Sequence, residues 1–163
     1  MRTIGVEARL RRVLFGLSAW LCGGTIVELL LAKHYKEPAQ LVPFVLCSLG
    51  LIMVVAAWRR PRRASLLALR GMMGVLMVGS LLGVYEHLAG NLAFELEMRP
   101  SAVWSDVWFQ ALRGAAPLLA PGVLAVAGVL AIAATYAHPA LAHRQDMAQT
   151  HAVAGERSLS QRR

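Results

Sequence analysis

Imidazole and carboxylate groups gather in one stretch of an otherwise apolar chain. The segment VYEHLAGNLAFELEMRP (84–100) holds Glu86, His87, Asn91, Glu95 and Glu97. His87, Asn91 and Glu95 are spaced i, i+4, i+8, so a helix running through Gly90 would align them on one face. A second, smaller set belongs to the first apolar run, with Glu28 inside it and His34 and Glu37 just beyond. Neutral imidazole and carboxylate are ligands for zinc, iron, manganese or copper. Glu28, His34, Glu86, His87 and Glu95 are therefore the candidate metal ligands. His34 and His87 could also serve as axial ligands of a haem between neighbouring helices. The spacings match no zinc or EF-hand signature. There is no HExxH, no phosphate-cradling glycine loop and no Ser/His/Asp set, so the reading is non-enzymatic.

The elements that must position these groups follow from composition. Of 163 residues, 57% are hydrophobic and only 16% charged. A soluble helix keeps a polar face, whereas here the apolar runs approach the roughly 20 residues needed to cross a bilayer core of about 30 Å. Four spans are expected, at about 13–32, 41–58, 66–88 and 115–137. The expected fold is thus an all-α integral membrane protein, a four-transmembrane-helix bundle. Residues 1–137 form the membrane domain, and 138–163 read as a polar, flexible cytoplasmic tail. The N-terminus resembles a signal peptide, but its apolar run continues to Ala32, beyond the usual length of about 7–15 residues, so it reads as a retained span.

Charge orients the bundle. Arginines cluster at Arg2, Arg9, Arg11 and Arg12, in RRPRR (59–63), at Arg70 and in the tail. The opposite side carries only Lys33, Lys36, Arg99 and Arg113. By the positive-inside rule both termini face the cytoplasm of a bacterial-type inner or plasma membrane. A net charge of +8 raises the question of nucleic acid. The basic residues sit at the ends of apolar runs without aromatic interleaving, so lipid headgroups, other membrane subunits or a second copy are the expected partners.

Local signals fill in the connections. Pro38 in KHYKEPAQ should end one turn and start the second span. In RPSAVWSDVWFQALRG, Ser101 is an expected N-cap and Gly114 a stop. Trp104 and Trp108 then share a face of a short helix lying in the outer interface, between spans three and four. Pro117 should begin span four, and Pro121 should kink it. Gly71, Gly74, Gly79, Gly83, Gly122 and Gly128 allow close helix approach. Cys22 and Cys47 lie in spans without a CxxC and read as small buried hydrophobes.

Depth links the two polar sets. Glu28 follows Arg12 by sixteen residues and Glu86 follows Arg70 by sixteen. Each carboxylate should stand about 24 Å above its arginine, with Glu28 turned into the bundle to avoid lipid. Two functions fit. One is an accessory or structural subunit of a membrane assembly, with the acidic, histidine-containing outer cap as its partner or ligand surface. The other is a metal-binding or proton- or cation-coupled transport component using Glu28, Glu86 and His87.

Overall fold

The computed structural model describes residues 3–141. The tail expected from 138 onward therefore lies almost wholly outside the described residues. Among these the chain is helical, with no strand: α1 (Thr3–Leu31), α2 (Pro38–Arg59), α3 (Arg63–Met98), α4 (Trp104–Leu112) and α5 (Leu119–Ala134). Three of them, α1, α2 and α3, are long and apolar enough to cross a membrane, and α5 is a shorter apolar helix. Helices suit such a chain because they satisfy their backbone hydrogen bonds internally when water is absent.

The packing follows from buried positions that alternate three and four apart. On α2 these are Cys47, Gly50, Val54 and Ala57, and on α3 Leu66, Leu69, Met73, Leu76 and Ser80. Leu124, Ala127, Ala131 and Ala134 repeat the pattern on α5, and Phe15, Ser18 and Cys22 on α1. A 3.5-residue period keeps one seam facing a neighbour along a helix's length. The helices accordingly close a ring in which α1 packs on α2 and α5, and α3 packs on α2 and α5. The helix α4 lies against α3.

Hydroxyls staple the seams that α5 makes. Ser18 Oγ donates to Ala127 O at 2.9 Å, and Ser80 Oγ donates to Pro121 O at 2.6 Å. A donor in an apolar interior has few alternatives, so such bonds fix helix pairs. At two points α5 also comes unusually near α3. A Cβ on Gly83 would sit 2.9 Å from Pro121 Cβ, and one on Gly128 would sit 3.2 Å from the Met73 backbone oxygen. Gly71, Gly74 and Gly122 meet nothing within 4 Å, so they are not approach points within this chain.

The outward surface is as apolar as the seams. Ile52, Val78, Leu81 and Leu82 are exposed, with many residues like them on every long helix. A water-soluble protein rarely leaves so continuous an apolar surface uncovered. Together with the three long apolar helices, this suggests a membrane location with lipid against the helices.

Several boundaries differ from the sequence reading. The helix α1 begins at Thr3, ten residues before the expected span. The helix α3 continues unbroken through Gly90 to Met98, making 36 residues or about 54 Å. Ser101 does not cap α4; Val103, with extended backbone (φ −67°, ψ 137°), takes that place without a side-chain cap. Pro121 kinks nothing, because α5 starts only at Leu119. Its missing N–H falls among the first four, which have no intrahelical acceptor in any helix. Pro38 does open α2 as its first residue.

Candidate functional site

The two ends of the ring have different chemistry. At the basic end, α1 and α3 begin and α2 and α5 finish. Arg11 donates to Ala137 O at 3.0 Å, and Arg70 donates from Nε to Thr135 Oγ1 at 2.7 Å and from Nη2 to Thr135 O at 3.1 Å. Carbonyls at a helix C-terminus lack intrahelical partners and carry partial negative charge, so two guanidiniums stabilise the end of α5. The contacts also set a level, since arginines of α1 and α3 converge on one turn, 135–137. Counted from Arg11 and Arg70, Glu28 and Glu86 stand at similar height, about 24–26 Å along helices that run the same way.

At that distal end α3 projects past its neighbours and carries the polar stretch. His87 is half-buried, and its Nδ1–H donates to Pro117 O at 3.0 Å. A carbonyl can only accept, so this bond places a hydrogen on Nδ1. Asn91, one turn on, is buried. Its Nδ2 donates to Ala111 O at 3.0 Å and to Ala116 O at 2.9 Å, and its Oδ1 accepts from Ala116 N at 3.0 Å. The amide thereby fastens the last turn of α4, and the connector to α5, onto α3. Gly114 makes room for it, because a Cβ there would collide with the Asn91 amide.

The remaining candidates have other surroundings. Glu95 forms an ion pair with Arg99, one helical turn along α3. Glu86 is exposed on the outward side of α3. Glu28 is also exposed, on α1, which corrects the expectation that it turns into the bundle. His34 is half-buried just past α1, where its N–H donates to Leu29 O at 2.9 Å and the Lys33 N–H to Leu30 O at 3.1 Å. With Lys33 at φ 53° in the left-handed region, these bonds form a Schellman turn.

The i, i+4, i+8 row of His87, Asn91 and Glu95 therefore lies on one continuous helix, as its spacing implies. Its first two members reach the α4–α5 connector and its third reaches Arg99. Among the described residues, no three His, Cys, Asp or Glu side chains come together in a way that could hold a metal ion. Cys22 and Cys47 are buried, free thiols. The sequence reading missed the clamp at Asn91 and the capping role of Arg70. The shared helix face of His87 and Asn91 was the available signal for the donor side of the clamp, while its backbone acceptors left none.

On α4 the buried side is Val107 and Ala111, against α3, while Trp104 and Trp108 are exposed. The guanidinium of Arg113 lies 4.3 Å from the Phe109 ring centroid, an arrangement that favours both partners. In comparisons with known proteins, no family model, no curated protein and no solved structure matches the chain.

Proposed function

We propose that the protein is a non-enzymatic accessory or structural subunit of a membrane assembly. In this reading α1, α2, α3 and α5 are four spans with both termini in the cytoplasm of a bacterial-type inner membrane. The helix α4 lies in the outer interface, and the distal end is an extracytoplasmic surface for a partner or ligand. The observation that carries it is the outward exposure of Glu28 and Glu86, at one height on two separate walls of the ring. Charged groups near the membrane boundary that face away from their own bundle are disposed to meet something outside it. A transport component using Glu28, Glu86 and His87 would need those groups to line an internal path, and exposure favours the subunit reading over it. The clamped connector supports the same reading, since it presents α4 on a fixed platform.

The test is extraction from native membranes in mild detergent, with crosslinking from positions on the cap. One partner at fixed stoichiometry, lost on substitution of cap residues, is the expected result. A lone monomer under all extraction conditions would defeat the proposal. Glu28-dependent, pH-sensitive flux in vesicles would favour transport instead.

A further inference from the structure

The outward face of α1 differs from a simple lipid-facing surface in three ways. Trp20, Gly24 and Glu28 are spaced four apart, so they form one ridge, and all three are exposed. Counted from Arg12, Trp20 stands about 12 Å and Glu28 about 24 Å into a hydrocarbon core of about 30 Å. Tryptophan favours headgroup depth, yet Trp20 is 70% exposed near mid-depth. Gly24 leaves an open notch, where a Cβ would meet nothing within 4 Å. Glu28 belongs to neither of the two ion pairs among the described residues, Glu7–Arg11 and Glu95–Arg99. An ionised carboxylate facing hydrocarbon is costly, and a complementary cation on a neighbouring helix removes that cost.

We infer that this ridge docks a transmembrane helix of a different chain, one carrying Lys or Arg near its outer end. The cation pairs with Glu28, and the partner backbone seats at Gly24 beside the Trp20 ring. The inference rests on the accessory-subunit reading and names the chemistry of the partner. A parallel second copy is the wrong occupant, because two-fold symmetry would set Glu28 against Glu28.

The experiment places the full-length protein in vesicles with a synthetic Leu/Ala transmembrane peptide bearing one Arg near its outer end. Energy transfer reads association. Matched peptides carry Leu in place of that Arg, or the Arg at the inner end. The outer-Arg peptide should associate roughly tenfold more tightly than either control. Glu28→Gln should erase that preference, Gly24→Leu should weaken association, and Leu81→Ala, on the outward face of α3, should leave it unchanged. Equal association of the Arg and Leu peptides, or a preference that survives Glu28→Gln, would overturn the inference. So would efficient self-crosslinking through α1. A failed ridge beside an intact stoichiometric crosslink through the cap would remove this inference alone, whereas loss of both would remove the subunit reading as well.

Discussion

Asn91 and Ala116 exchange hydrogen bonds in both directions, the side-chain amide donating at 2.9 Å and accepting from the Ala116 N–H at 3.0 Å. The pair joins residues 25 apart in sequence and turns a loop into a fixed strap across α3. Asn91→Ala would strand the Ala116 N–H and carbonyl, and would leave the Ala111 carbonyl with the Gly114 N–H. The expected cost is roughly 1–3 kcal/mol, with faster amide exchange over 111–118 while α1 and α2 stay protected. Hydrogen-exchange mass spectrometry in detergent reads both, and unchanged exchange there would refute the strap.

The glycines of α3 and α5 should divide by what surrounds them. Gly128→Ala puts a methyl group 2.7 Å from Met77 Cγ and 3.2 Å from the Met73 carbonyl, for an expected loss of about 1–3 kcal/mol. Gly71→Ala meets nothing within 4 Å and should be neutral or gain up to about 1 kcal/mol from helix propensity. Reversible unfolding in mixed micelles would rank them, and equal effects would contradict the tight α3–α5 seam.

Lys33 ends α1 in a backbone conformation that costs a residue bearing a Cβ about 1–2 kcal/mol. Lys33→Gly should therefore raise the unfolding midpoint by a corresponding amount, less the greater entropy of a glycine in the unfolded chain. A drop in stability would mean that the Lys33 side chain contributes more than its backbone strain costs.

His138, just past α5, titrates below the ordinary imidazole value, first because it is partly buried and second because Arg11 is nearby. Its Nδ1 also accepts from the Ala140 N–H at 3.2 Å, a bond that protonation removes. The unfolded chain takes up this proton more readily than the folded one. Stability should thus be full above the usual imidazole range and decline as pH falls through it toward the depressed folded value. His138→Gln should flatten that slope. A wild-type slope of opposite sign, in micelle unfolding from pH 8 to 5, would contradict the assignment.

The depth of α4 can be read directly. In a chain with Trp20 and Trp58 replaced by phenylalanine, only Trp104 and Trp108 fluoresce. Lipids brominated near the headgroup should quench them more than lipids brominated near the chain ends. The reverse order would place α4 in the hydrocarbon and contradict the interfacial position proposed for it.

The three long apolar helices were legible because length and hydropathy report them without reference to a partner. The facing of Glu28 was not. When every side of α1 is apolar, the sequence pattern has no phase, and only packing against α2 and α5 decides which side is covered. The clamp at Asn91 and the staples at Ser18 and Ser80 were hidden for another reason. Their partners are backbone carbonyls, which every residue possesses, so no residue type marks the receiving end. Pro121 misled because its meaning depends on where α5 starts, and an apolar run does not record its own first turn.

The helix α5, with 16 residues, offers a hydrophobic height of about 24 Å, against about 33 Å for the 22 residues of α2 on the opposite side of the ring. In the four-span reading proposed above, the molecule would be an asymmetric wedge in a bilayer. Lipid tails beside α5 would shorten or splay while those beside α2 would stand near full length, a strain relieved by tilting or by gathering in thinner membrane. The protein would then sense bilayer thickness on one flank only, whatever it binds at its distal end.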